Sequence, residues 1–310
     1  MPKQYSVVIC VTIINDWIKN PDTTMIPDKL KGGKVLLNKN GNPIARKGAF
    51  CKVYKCEIEG KTKALRLWLN EIEESETATR SRAVSDFITQ NNSKYLVNFE
   101  YFPEGYEFNG EIYSIILMDW CEGKTMKQYI SDRIENEDTN SILSLARDFL
   151  EMTNELHKLG ISHGDLQHDN IMIAKDGSIK LVDYDSMYVP ALKGHIETII
   201  GKPGYQHPAR KNNKYLQPYT DYFSELMIFF TLYLVGHKPE LWDPDVVMDD
   251  DKEDQLLFRI TEQDENTLYD DETIKGASDL FYSLKLALMA TDISVLSPLK
   301  DYVEKANIYR

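Results

Sequence analysis

The sequence predicts an α+β fold in two lobes, a small β-rich lobe followed by a larger helical one. Three observations carry this expectation. Strand-like runs crowd the stretch ahead of residue 120, helical periodicity takes over from Ile142, and Asp221 to Val235 is apolar nearly all round, as a wholly buried helix is. With 310 residues, 42% hydrophobic and 27% charged, the chain has ample material for cores and none of the bias of a disordered or coiled-coil protein.

In chain order, Val7 to Ile14 is an apolar run broken only by Thr12, and it reads as a buried strand. It is too short to span a bilayer and lacks the basic leader and cleavage site of a signal peptide. Residues 1–29 form an N-terminal extension, read as an extra strand or a docking segment. Phe50 to Ile58 (FCKVYKCEI) is rich in β-branched and aromatic residues, Glu59-Gly60 turns the chain, and Thr62 to Leu69 (TKALRLWL) returns. Thr77 to Gln90 has helical spacing at Ala83, Val84, Phe87 and Ile88, and residues 111–120 form a further strand. Ile142, Leu145, Phe149, Met152 and Leu156 make one helical stripe, with Gly160 as its C-cap. Ile171 to Ala174 and Ile179 to Val182 are short strands around the turn Lys175-Asp176-Gly177-Ser178. Residues 243–254 hold seven acids and read as a solvated loop. The division is therefore 1–29, a β-rich lobe at 30–118 and a helical lobe at 119–310, with a cleft between the lobes.

Lys+Arg number 36 against 49 Asp+Glu, a net charge of -13 that repels phosphate and argues against nucleic-acid or anionic-membrane binding. Any phosphate site must be local. Arg46, Lys47, Lys52 and Lys55 supply one, four cations in ten residues that hold no acid. Cys10, Cys51, Cys56 and Cys121 have neither disulfide-framework nor zinc-ligand spacing, which predicts a reduced, cytoplasmic protein.

The chemistry concentrates in 163–185. His163-Gly164-Asp165-Leu166-Gln167-His168-Asp169-Asn170 is a loop, and the hairpin after it brings Asp183 back beside Asp165 and Asn170. Two carboxylates and an amide oxygen are hard ligands of the kind Mg²⁺ takes when substrate phosphates complete its shell. One acid can instead orient or deprotonate an attacking hydroxyl.

This pattern resembles the protein-kinase superfamily, with its H-R-D-L-x-x-x-N loop and later D-F-G: His163, Asp165, Leu166, Asn170 and Asp183 fall in register. The resemblance runs over roughly residues 30–300 and implies the bilobal kinase fold. Gly201-Lys202-Pro203-Gly204-Tyr205-Gln206-His207-Pro208 is similar to the family's substrate-binding stretch, and Asp221 to the residue that ties down the catalytic loop. Met118-Asp119-Trp120-Cys121 is similar to the hinge that meets adenine. Ile44 to Tyr54, with Gly48 as its one remaining glycine, resembles the phosphate-covering turn. The family likeness thus implies ATP and Mg²⁺ as cofactors, with Asn170 and Asp183 on the metal and Asp165 at the acceptor hydroxyl. Arg46, Lys47, Gly48, Arg66, Asp86, Asp119, Trp120 and Cys121 would surround the nucleotide.

Departures from the family pattern are informative. Arg66 stands where kinases carry the phosphate-holding lysine, and an arginine there keeps the charge but not the shape. Its expected partner is Asp86, with Glu76 next. Gln167 replaces the catalytic-loop lysine, and Lys202 is placed to substitute for it, so both join Asp165 as expected catalytic residues. Gly164 replaces the arginine that in many kinases reads a phosphorylated segment, which predicts activity independent of such phosphorylation. Asp185 replaces the D-F-G glycine and offers a further carboxylate. The loop's H-G-D, shared with aminoglycoside and choline kinases, keeps a small-molecule acceptor open beside a protein one, and its Gln167 is similar to bacterial kinase-like proteins. His163 is expected as a structural brace, His168, His195 and His207 as packing or surface residues, and His157 and His237 as charges near helix ends. Together these predict a phosphotransferase acting on a hydroxyl, against the alternatives of a nucleotide-binding or scaffolding pseudokinase and of nucleotidyl transfer on the same fold.

Overall fold

The computed structural model describes residues 7–47, 51–68, 76–108, 110–242, 256–257 and 271–309. They fall into two compact units, Met1–Cys121 and Glu122–Arg310. No described helix is long and apolar enough to cross a membrane. The acidic run 243–254 lies outside the described residues.

The first unit opens with a helix, α1 (Val7–Lys19), where the sequence reading placed a strand. The β-branched run misleads because its buried members, Cys10, Ile13, Ile14 and Trp17, follow the i, i+3, i+4, i+7 pattern of one helical face. Strands β1 (Lys34–Val35), β2 (Ala45–Lys47), β3 (Cys51–Ile58), β4 (Lys61–Trp68), β5 (Phe99–Phe108) and β6 (Glu111–Asp119) form one antiparallel sheet, ordered β1-β3-β4-β6-β5 with β2 added on β3. Between β4 and β5 runs α2 (Glu76–Asn91), which lies against β5; the Tyr101 amide donates to the Ser85 hydroxyl (3.2 Å). β5 escapes the sequence reading because Pro103, Glu104 and Gly105 interrupt it, and the structure absorbs them as a register shift between Phe102 and Tyr106.

Strand alternation sorts the sheet into two faces. On one, Tyr54, Cys56, Ile58, Leu65, Leu67, Ile115 and Leu117 join the α1 stripe, Met25 and Leu30 in a single core. Cys10 to Leu30 therefore contribute to this unit's interior. The row Val53, Arg66, Ile116 and Tyr101, paired across β3, β4, β6 and β5, belongs to the other face.

The second unit carries α3 (Met126–Glu135), α4 (Thr139–Leu159), α5 (Tyr222–His237), α6 (Ala277–Leu288) and α7 (Leu299–Lys305), with a small sheet ordered β7 (Gly123–Thr125), β8 (Ile171–Ala174), β9 (Ile179–Leu181). A capping box of Thr125 and Gln128 starts α3. Asp138 caps the start of α4, and Gly160, at φ 67°, ends it in the left-handed conformation that glycine tolerates. α5 is buried from Phe223 to Gly236 and packs against α4 and α6, as its uninterrupted apolar sequence demands. It is the rigid post on which the loop between α4 and β8 is hung.

Candidate active site

In the second unit, residues 162–170 leave the end of α4 and are held by polar groups on every side. The buried Asp221 carboxylate, at the foot of α5, accepts from the His163 amide and from the Gly164 amide (3.0 Å). That is the tie-down the family likeness implied. Burial pushes the Asp221 carboxyl above the usual range, against the pull of His163, the Arg210 charge and the two amides. His163 reaches the other way, its Nε2 to the Val182 carbonyl (3.0 Å), and sets its ring edge-on to Tyr184. It is a brace, as expected. The Ser162 and Tyr188 backbones pair in both directions.

Within this frame Asp165, partly exposed, is gripped from two sides. The Lys202 amide donates to Oδ1 (2.7 Å), and the Asn170 side-chain amide donates to Oδ2 (3.1 Å) and to the Asp165 carbonyl (2.8 Å). The Val182 amide donates to the Asn170 carbonyl (3.0 Å), so Asp183 follows one residue beyond a backbone contact with Asn170. Asp183 is exposed and holds a left-handed backbone at φ 68°, a conformation in which Asp and Asn are enriched. Asp165, Asn170 and Asp183 are thus brought to one place by the loop and the β8–β9 hairpin. Among the described residues no cluster of three or more His, Cys, Asp or Glu forms a metal cage of its own. The donor set matches instead a magnesium that keeps one or two protein oxygens and takes the rest from phosphate. Asn170 fits that use: its nitrogen is spent on Asp165, and no described residue donates to its Oδ1.

Two expected catalytic residues bond within the loop. Gln167 is buried, and its Oε1 accepts the Asp169 amide (2.9 Å), so that end of the side chain braces the loop. Lys202 does approach Asp165, but through its backbone; its Nζ pairs with Asp169 (3.2 Å). Two buried histidines have packing roles, with His168 Nδ1 bonded to the Tyr205 hydroxyl and His207 Nε2 to the Ala287 carbonyl (2.9 Å). His157 does more than complement a helix end: its Nε2 pairs with the buried Glu225 (2.8 Å).

In the first unit Arg66 is 2% exposed with its guanidinium over the Trp68 ring (4.5 Å), which rules out a snorkelling surface residue. Asp86, the expected partner, is solvent-exposed on α2, whereas Arg66 is buried. Asp119 is tied to Lys63 (2.5 Å) and to the Asn98 amide (3.3 Å). Trp120 carries Arg46 (5.5 Å) and Lys55 (4.9 Å) over its ring, and Cys121 is partly exposed. The cationic patch splits across the sheet: Arg46 pairs in register with Val53 and so shares the Arg66 face, while Lys52 leans on Tyr54, on the α1 side. Gly48 and the Lys47 side chain lie outside the described residues.

Two residues that sequence reasoning passed over are central. Arg210, 1% exposed, donates to the Gly164 carbonyl (2.5 Å), to Gln206 and to Glu197 (2.8 Å). The sequence signal was an arginine two residues after the Gly201–Pro208 stretch, and nothing in the spacing marks Glu197.

A family model described as "Protein kinase domain" matches residues 46–289. Serine/threonine-protein kinase STE20 of Debaryomyces hansenii is 24% identical over 235 residues, covering 70% of this chain and 20% of that protein. Mitosis inhibitor protein kinase SWE1 of Candida albicans is 28% identical over 181 residues, 58% of this chain and 14% of that protein. Sperm motility kinase 2B of Mus musculus is 34% identical over 71 residues, 22% of this chain and 14% of that protein. The chain therefore spans a fifth or less of the length of these relatives. The family match takes in strands β3 to β6, the Asp165 loop and α5 alike, and on that ground the chain belongs to the protein kinase domain family.

Proposed function

We propose that this chain transfers the γ-phosphoryl group of ATP to a hydroxyl acceptor, of serine or threonine type on a protein. The observation that carries the reading is the Asp165 carboxylate, partly exposed and fixed by the Lys202 and Asn170 amides. A carboxylate held so tightly orients an incoming hydroxyl and accepts its proton as the oxygen attacks. Asn170 Oδ1 and the Asp183 carboxylate would hold Mg²⁺. When bound, that ion with its ATP supplies the transferable group and offsets the charge gathering on it.

Arg66 is the group proposed to hold the nucleotide's phosphates, since a buried guanidinium binds an anion more strongly than an exposed one and offers two parallel donors. Arg46, Trp120 and Cys121 are proposed to bound the nucleotide further along the same unit. Lys202, its Nζ already beside the loop at Asp169, would steady the departing phosphoryl oxygens. The chemistry is then mostly positioning and fixed charge. Reducing cytoplasm suits the thiols: burial pushes Cys10 up to about 11 and Cys56 up to about 12, so both stay protonated and inert.

Labelling with [γ-³²P]ATP and [α-³²P]ATP in parallel tests the reading, with Asp165→Asn as control. Label from the γ position alone, lost in the variant, is expected. Label from the α position, or equal labelling by the variant, rejects it. A thermal shift with ATP that requires Mg²⁺ is the companion result.

A further inference from the structure

We infer that Glu197 and Arg210 form a built-in latch that seats residues 197–206 on the catalytic loop and thereby positions Asp165, with no covalent modification of the chain. The inference deepens the phosphotransferase reading and rests on it for the role of Asp165.

The Arg210 guanidinium is fully enclosed, and the Glu197 carboxylate nearly so, at 0% and 2% side-chain exposure. Nε and Nη2 both donate to Glu197 Oε1 (3.2 and 2.8 Å), and Nη2 also meets the Ile199 carbonyl (3.3 Å). Nη1 donates to Gln206 Oε1 and to the Gly164 carbonyl (2.5 Å). One cation thus ties three stretches of the chain together, and removing the Glu197 carboxylate takes away the ion pair that its guanidinium is bonded to in a buried place.

Glu197 is itself fixed. Its amide donates to the Lys214 carbonyl (3.0 Å), beside the Ile196–Tyr215 bridge. From there the chain runs to Gly201, at φ 84°, where an added Cβ would stand 2.7 Å from Asp165 Oδ1. The next amide, of Lys202, is the one that holds Oδ1 at 2.7 Å. Arg210 therefore bears on Asp165 twice, through the carbonyl of Gly164 just before it and through the segment that ends on its carboxylate.

Gly164 explains why the cation comes from so far along the chain. Its φ is 79°, and a Cβ there would lie 2.1 Å from the Ser186 carbonyl oxygen. No side chain can rise from residue 164, so a guanidinium at this spot has to be delivered by another stretch. Arg210 delivers it, and the carboxylate it meets is encoded in the chain.

The test uses the full chain with casein as a generic acceptor, measuring kcat, KM for ATP and amide hydrogen exchange. Phosphatase treatment, verified by intact mass, should leave kcat unchanged. The isosteric Glu197→Gln should lower kcat roughly 100-fold, the scale on which a misplaced catalytic group costs rate, with KM for ATP unmoved. It should also speed exchange across 198–206 and at Lys202, while Arg210→Lys, which keeps the charge, should retain more of both. Full kcat in Glu197→Gln, or a kcat lost on phosphatase treatment, overturns the latch. If the unsubstituted chain labels no acceptor, the transferase reading fails separately. Exchange then decides the latch alone: faster exchange confined to 163–165 and 198–206 supports it, and unchanged exchange rejects it.

Discussion

The two units hold their functional side chains by opposite means. In the first, Arg66 is placed by strand register on a sheet whose other face is sealed by α1, Trp17 and the apolar stripe around it. In the second, Asp165 is placed by an almost wholly polar frame of Asp221, Arg210, Asn170 and the Lys202 amide. Apolar packing sums many weak, undirected contacts and tolerates small shifts. A buried polar frame is directional, and each missing partner leaves another unsatisfied. The first unit should thus answer mutation mainly in stability, the second in geometry as well.

The strongest way to break this contrast is Asp165→Asn. It keeps the size of the side chain and an acceptor for the Lys202 amide, so the fold should stand while turnover falls roughly 10²- to 10⁴-fold. A parallel loss of melting temperature would show that Asp165 holds structure rather than chemistry. Next come Trp17→Ala and Asp221→Ala, each expected to cost about 3–5 kcal/mol by denaturant titration. Their effects on exchange should differ. Trp17→Ala should leave the His163 and Gly164 amides protected, whereas Asp221→Ala should expose both. Gly164→Ala, forced into a left-handed backbone, should cost about 1–3 kcal/mol, with a further loss from the Ser186 clash.

The smallest effect sharpens the contrast by pH. Burial of His157 opposes its charge, but the hydrogen bond and charge of Glu225 outweigh that and raise the imidazole above its ordinary 6.5. A raised value in the folded state means the pair's contribution is whole below pH 6.5 and is lost as pH climbs through the folded value. Melting temperature should therefore decline from pH 6 to 8, and His157→Gln should flatten that slope. An unchanged slope would mean that the pair does not govern it.

Much of the fold was legible because its signals are local. The stripe from Ile142 to Leu156, the apolar run of α5 and the β3–β4 pair each declare their periodicity within a dozen or so residues. The catalytic loop was legible for another reason: His163, Asp165 and Asn170 are tied at fixed short spacing by bonds within the loop itself. α1 misled because β-branched residues weigh toward strands until a sheet is present to bury one helical face. The Asp86 partner for Arg66 was chosen by counting along the chain, and counting says nothing about which side of α2 meets solvent.

By itself the sequence determined the two-lobed α+β class and the short loop that carries Asp165 and Asn170 ahead of the β8–β9 hairpin and Asp183. Tertiary structure alone decided that Arg210 serves the catalytic loop, that Glu197 neutralises it, and that Gln167 turns inward. The physical reason is range. Backbone periodicity and loop hydrogen bonds act over a few residues, whereas a buried charge finds its partner through space, and only the folded chain shows which groups share one dry interior.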